Sequence, residues 1–279
     1  MNDRERRKAF NQERKAVVTE FEELSAATLL MINRILNEAR EQIKFLLRIS
    51  PSDYNLWLLG ELESQIKVIL NQVSSQSAAA AQSALSNAWS LGELLTDRPL
   101  QAAGLTIAGV APAIDTRQLA ALQHVTTRKI DGVTRIMADK IDTQLGMVMM
   151  GVQPAGMAIT VITNILDEGD RSRALGILRT EISRANSIAS DLRKRSAATV
   201  LPGMQKQWRR SARKDPRETH TYADGQVQDL DKPFIIGGIE MMHPHDPKAP
   251  IGEVINCGCM SLPYMKSWQM SAPGKRAVT

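Results

Sequence analysis

The opening segment leaves this chain few choices. Between Asp3 and Arg48, apolar or small residues fall at Phe10, Val17, Phe21, Leu24, Thr28, Met31 and Ile35, stepping by three and four once Val17 is reached. They continue less regularly through Ala39, Ile43 and Leu46. This spacing collects them on one narrow strip of a single long helix, with Arg14, Glu20, Glu22 and Arg34 on the remaining faces. A strip so narrow buries against one partner helix, either an antiparallel neighbour from the same chain or a helix of a second subunit.

Ser50, Pro51, Ser52 and Asp53 stop that helix and cap the next. The second helix carries Leu59, Leu62, Ile66, Ile69 and Val73 at similar spacing, so the two can close as a hairpin. The small-residue run SSQSAAAAQSALSNAW is expected to be helical, with little to specify a wide interface, and Arg98-Pro99 to end it. Gly and Pro in LQAAGLTIAGVAPAID read as a loop or linker. Another helix is expected from Asp115-Thr116 to about Met149, with Leu119, Leu122, Thr126, Ile130, Val133 and Met137 on one face. Gly151 and Pro154 punctuate it, a short helix covers 155–166, and a long basic helix runs from Arg171 to about Thr199. In that last helix Leu175, Leu178, Ile182, Ala185 and Leu192 form the expected buried stripe. Arg171, Arg173, Arg179, Arg184, Arg193, Lys194 and Arg195 fall largely outside it.

Composition agrees with helix-on-helix packing: the 279 residues include only four Phe, three Tyr and four Trp, while Ala, Leu, Ile and Met dominate. Two stretches, 99–114 and 144–166, carry no charge, and the second is long enough to cross a bilayer. Gly146, Gly151, Gln153, Pro154 and Gly156 interrupt it, so a buried helix–turn–helix is expected there and stable membrane insertion is not. The charged N-terminus lacks the apolar run of a secretory signal peptide. Two cysteines one residue apart bridge badly, so the thiols read as free or metal-bound in a chain made in a reducing cytoplasm. A net charge of +5 permits an anionic neighbour without requiring one.

At Leu201-Pro202-Gly203 the composition shifts toward Gly, Pro, Asp and His, with short β-like runs MQKQWRRSA, KPFIIGG and VINCGCMSL. The expected fold class is mainly α with a small α+β C-terminal module and an elongated helical N-terminal part. The divisions are 1–114 as an extended helical region with a linker at about 99–114, 115–200 as a helical body, 201–268 as the compact module, and 269–279 as an unpacked tail.

Five segments then follow in a distinctive order: RTEISRAN (Arg179 and Glu181 within it), WRRSARKDPRETHTYADGQV (Trp208, Asp215, Arg217, His220, Gly225), KPFIIGG (Phe234), HPHDPKAP (His243, His245) and INCGC (Asn256, Cys257, Cys259). Over roughly 151–263 this order resembles the phage Mu F-like head morphogenesis family, the minor head proteins that accompany the portal in tailed phages. Gly258 stands where that family usually has an arginine between the cysteines. The resemblance implies a structural protein at the portal vertex of the virion, made in the host cytoplasm and not an enzyme. Its partners are then the portal protein, with the major capsid protein and packaged DNA as further candidates, and self-association through the first helix. Some family members carry a fused toxin domain, for which the divisions above leave no segment. The alternatives are a membrane- or DNA-active ejection protein released from the head, and a thiol- or zinc-dependent hydrolase.

The residues themselves offer three chemistries. Cys257 and Cys259 with His220 and either His243 or His245 make four good zinc ligands, although a Cys-x-Cys pair converges on one ion only if the backbone bends. The bland counterpart is two buried thiols on a strand, with Asp215, Arg217 and His220 fixing the loop beside them. A nucleophilic cysteine needs a base and an orienting acid, for which His220 and Asp224 or Asp215 are the candidates. Trp208, Arg209, Arg210, Arg213 and Lys214 form a basic strand beside an aromatic, suited to DNA phosphates or an acidic portal surface.

Overall fold

The computed structural model describes residues 1–49, 56–107, 109–167, 170–211 and 215–265. Its helices are α1 (Asp3–Ile49), α2 (Leu56–Ala102), α3 (Arg117–Met149), α4 (Ala155–Asp167), α5 (Asp170–Ala198), α6 (Glu218–Tyr222) and α7 (Ile251–Val254). Its strands are β1 (Met204–Arg209), β2 (Val227–Asp229), β3 (Phe234–Ile236), β4 (Ile239–Met241) and β5 (Met260–Met265). The chain is mainly α with a small α+β C-terminal module. The cap expected at Ser50–Asp53 and the tail at 269–279 lie outside the described residues.

α1 runs as its periodicity requires, but its buried stripe is not a heptad seam. Met31 is 54% exposed and Ile32 only 1%. The buried positions recur every eleven residues, with Phe10, Phe21, Ile32 and Ile43 on one line and Val17, Thr28 and Ala39 on another. The same step runs through α2 (Leu62, Val73, Ala84, Leu95; Ile66, Ser77, Ala88) and α3 (Leu122, Val133; Thr126, Met137; Ile130, Ile141). Eleven residues in three turns is about 3.67 per turn, close to the helix's own 3.6, whereas a strict seven-residue seam drifts by about 20° per heptad. The stripe therefore stays on one side of each helix along its whole length.

Pro99 does not end α2. Proline removes a donor and crowds the preceding turn, but tertiary packing carries the helix through. Leu100 and Ala103 beyond it are fully buried, and Arg98 before it pairs with Glu13 and with Glu20 (2.7 Å) of α1. The helix stops at Gly104 (φ +78°), where the Leu105 and Gly104 N–H groups donate to Leu100 and Gln101 at 2.8 and 2.9 Å. These are the paired bonds of a Schellman motif. α3 ends the same way at Gly151, and α4 follows as the expected helix–turn–helix. Among the described residues, no helix is long and apolar enough to cross a membrane.

Compactness divides the chain into two units, each assembled from separated stretches: 1–25 with 84–122 and 179–279, and 26–83 with 123–178. The divisions read from composition run along the sequence instead. The second unit has a four-helix core. Ile43 and Leu47 of α1, Leu59, Leu62, Ile66 and Leu70 of α2, Met137, Ile141 and Leu145 of α3, and Ile162 and Leu166 of α4 share it. The strip on α1 thus finds a partner within its own chain.

In the first unit, α5 from Arg179 onward is buried on nearly every side, which corrects the amphipathic reading. Leu192 is only partly buried, while Arg193 and Lys194 are buried along with Thr180, Glu181, Ser183, Asn186, Ser187, Ser190 and Asp191. Small side chains let neighbouring backbone approach, and polar partners then satisfy the long ones. Arg193 grips Asp97 with two bonds (2.6 and 3.0 Å) and donates to Pro112 O (3.0 Å), tying the loop after α2 to α5. Lys194 Nζ donates to Ser261 O (2.7 Å), Ser261 Oγ (2.8 Å) and Ser190 Oγ (3.2 Å). The α2–α5 contact is tight at Gly92, where a Cβ would stand 2.5 Å from Asn186 O and 2.8 Å from Ala189 Cβ. Gly92→Ala is therefore expected to cost about 1–3 kcal/mol through overpacking. A urea midpoint equal to wild type would refute this packing.

The module's sheet is antiparallel in the order β2-β1-β5, with Gln207 opposite both Val227 and Leu262, and Trp208 opposite Ser261. Met204, Lys206 and Trp208 alternate inward along β1. β3 and β4 form a hairpin through Gly237 and Gly238, both at positive φ as a two-residue primed turn requires. The run VINCGCMSL is not one strand: α7 ends at Val254, the cysteines occupy a turn, and β5 begins at Met260.

Candidate metal centre

Four segments of the first unit converge on the thiols. α6 presents His220, α7 presents Glu253, the turn after α7 holds Cys257 and Cys259, and the loop after β4 carries His245. His220 Nδ1 lies 3.3 Å from Cys259 Sγ and 3.5 Å from Cys257 Sγ. A ligand atom from each of the three residues lies within 4.8 Å of the others. The other ring nitrogen of His220, Nε2, is 2.8 Å from Glu253 Oε2. The Cys259 N–H donates to Cys257 Sγ (3.3 Å), which bends the backbone so that both sulfurs face one point. His245 is fully buried in the left-handed region (φ +63°), and neither of its ring nitrogens makes a hydrogen bond.

Residues of the ordered C-terminal segments position these groups. Asn256, at φ +52°, starts the cysteine turn. Arg179 donates to its side-chain oxygen (3.3 Å), and its own N–H donates to Thr180 Oγ1 (3.1 Å). Arg217 donates to the Ile255 carbonyl (2.8 Å). Arg184, held by Glu181, donates to the His245 carbonyl (3.3 Å). One helix, α5, therefore anchors both the cysteine turn and the histidine loop. Trp208 packs edge-on against His220 (5.6 Å between ring centroids) and against Phe234 (5.3 Å). A core of Trp208, Ala223, Phe234, Ile236, Met241, Val254, Cys257 and Cys259 encloses the site.

The electrostatics favour one thiolate. Hydrogen bonding from Cys259 holds the Cys257 thiol below its ordinary range despite burial, and His220 and His245 add to this. The same bond, with burial, pushes Cys259 up. Burial pulls His220 down, but Cys257 and Glu253 outweigh it and hold the imidazole above its ordinary range.

Other candidates lie elsewhere. His243 Nδ1 faces the Pro244 carbonyl at 2.9 Å rather than the sulfurs, and burial lowers its pKa. Asp215 is exposed, so the loop is fixed by Arg217 without it. Asp224 serves Arg209 (3.2 Å) and the Arg210 N–H (2.9 Å) instead of His220. Gly225, at φ +86°, donates its N–H to Trp208 O (2.9 Å) and shapes the bend into β2. Trp208 is fully buried and presents no face for a base to stack on. Arg209 points outward; with Arg210, Arg14 and Lys15 it lines a groove of about 600 Å³ that Gly258 also borders. Arg213 and Lys214 lie outside the described residues. Glu253 and Thr180 are not singled out by sequence, and Arg184 reads there only as one of the basic residues outside the α5 stripe. Only the three-residue step from Glu181 to Arg184 hinted at any of them.

Two thiols, two imidazoles and a carboxylate make a ligand set for a soft or borderline divalent ion. The order thiol–imidazole–carboxylate also matches that of a nucleophilic relay, but both cysteines are buried, 3% and 4% exposed, which denies a substrate access.

No family model matches this chain, and no solved structure does. The chain is 37% identical over 102 residues to the uncharacterized protein YqbB of Bacillus subtilis, across 35% of this chain and 32% of that one. It is 30% identical over 100 residues to NAD(+)–arginine ADP-ribosyltransferase EFV of Enterococcus faecalis, across 34% of this chain and 19% of that one. The chain thus spans a third or less of the length of each of these relatives.

Proposed function

We propose that this chain is a structural minor head protein of a tailed phage, docked at the portal vertex and acting in head assembly, with its C-terminal module as a packed building block rather than a catalyst. One observation carries the reading. Segments that resemble the head morphogenesis family are scattered from Arg179 to Cys259, yet they close a single site in which nearly every shared residue positions another. Burial of both thiols argues against turnover at that site. The partial likeness to a named ADP-ribosyltransferase covers about a fifth of that protein, too little to carry that protein's activity to this chain.

Docking is assigned to charge complementarity at Arg209 and Arg210, the surface-facing members of the basic strand, with packaged DNA as a second anionic neighbour. Co-expressed with a tailed-phage portal protein, the full chain is expected to co-purify as a soluble complex that weakens with salt. The double variant Arg209→Glu, Arg210→Glu is expected to lose at least ten-fold in affinity. No association at low salt overturns portal docking, and flotation of the chain with liposomes in its place supports the ejection reading.

A further inference from the structure

We propose that His220, His245, Cys257 and Cys259 bind one zinc ion in a closed tetrahedral site that locks the cysteine turn and the histidine loop onto α5. This goes beyond the head-protein reading and does not depend on it.

Four observations converge. First, an ion with Zn–S near 2.3 Å and Zn–N near 2.0 Å holds tetrahedral sulfur and nitrogen ligands about 3.6 Å apart; the two Sγ to Nδ1 separations are 3.3 and 3.5 Å. Two edges of such a tetrahedron are therefore already in place. Second, His220 turns its remaining nitrogen onto Glu253 (2.8 Å). A histidine that ligates a metal through one nitrogen characteristically donates the other N–H to a carboxylate, which fixes the tautomer and raises ligand basicity.

Third, His245 is fully buried with both ring nitrogens unpartnered. Burying an imidazole without a partner carries a desolvation cost, and a metal bond at one nitrogen relieves part of it. It lies outside the three-residue cluster whose ligand atoms gather within 4.8 Å, so as the fourth ligand it swings onto the ion from the adjoining loop. Fourth, Asn256 and His245 are the two non-glycine residues at positive φ among the described residues. Each immediately precedes or is itself a ligand, and each is held by an arginine of α5. Such backbone is retained where the surroundings over-determine it.

Binding is balanced by proton release: Zn(II) takes two thiolates and two neutral imidazoles, so the Cys259 thiol proton and the proton shared between Cys257 and His220 pass to solvent. The fourth ligand separates His245 from His243, which faces a backbone carbonyl.

Elemental analysis of the full chain, purified without chelator, is expected to find about one zinc per chain. Titration of the metal-free chain with Co(II) is expected to give the visible bands of a tetrahedral site with two sulfur ligands. Glu253→Gln is expected to weaken zinc 10–100-fold against a competing chelator, and His245→Gln by more, while His243→Gln leaves affinity within two-fold of wild type. A folded wild-type chain that neither retains zinc nor gives the Co(II) bands overturns the proposal. Wild-type affinity in His245→Gln together with a loss in His243→Gln also overturns it as stated, because the fourth ligand is then another residue.

Discussion

Trp208→Ala is expected to destabilise the chain by about 3–5 kcal/mol, the cost of emptying a large aromatic site in a closed core. Trp208 is fully buried between β1's neighbours and stands edge-on to both Phe234 and His220. Its removal strips a contact shared by the β3–β4 hairpin and α6, which also touch directly at Gly237 and Thr219, so little collapse can refill the space. Urea unfolding followed by far-UV circular dichroism measures the cost, and amide exchange locates it. Protection is expected to fall first in β1, β3 and α6. A loss of under 1 kcal/mol would mean that the hairpin and α6 hold their places without the indole.

Lys194 gives the second large effect, and it depends on pH. Burial lowers its pKa from 10.5 to about 7; Asp191 raises it slightly, and Lys206 and Arg195 oppose that. Between pH 7 and 10.5 the unfolded chain therefore holds a proton that the folded chain does not. Unfolding takes up that proton, so this residue's contribution to stability rises as pH increases through the window and is lowest below about pH 7. The span is on the order of a few kcal/mol. Lys194→Met keeps the volume and removes the titration. The stability difference, wild type minus Lys194→Met, is expected to climb between pH 7 and 9.5. Lys194→Ala, which also leaves a cavity, is expected to lose about 2–5 kcal/mol at pH 7. A difference that stays flat from pH 7 to 9.5 shows that Lys194 is charged throughout. Lys206, lowered by burial to about 8 and donating to the Met242 carbonyl, works in the same direction.

What the sequence made legible depended on whether one residue's neighbours sit near it in the chain. The long helices were readable because Phe10, Val17, Phe21 and Thr28 repeat a contact at each turn, and local spacing is all that a helix face needs. The period was harder. Three-and-four steps look alike for a seven- and an eleven-residue repeat until the register has drifted, and Met31 against Ile32 is the first place where they differ. Pro99 misled because its local penalty was overridden by Leu100, Ala103 and the Arg98 ion pairs, all of them non-local.

Polar burial was invisible. Arg193, Lys194 and Lys206 carry the signature of surface residues, and only their distant acceptors (Asp97, Ser261, Met242) make an interior site tolerable. At the candidate centre, His220, Cys257 and Cys259 were readable from ligand chemistry alone. The choice between His243 and His245 rests on a backbone turn that residue types do not encode, and Glu253 sits on a single helical turn too short to show a period.

The first unit draws on both ends of the described chain, and this bears on how it is made. Phe10 shares a core with Met204 and Met265, and Arg14 donates to the Pro263 carbonyl. During synthesis the first turns of α1 thus leave the ribosome long before the strands that cover them exist, while 26–83 and 123–178 can complete their own core first. Phe10 and its neighbours must wait, exposed or chaperoned, until β5 emerges. Closure of the first unit is therefore a late event in synthesis, and a chain cut short before Met265 leaves its own beginning without a place to pack.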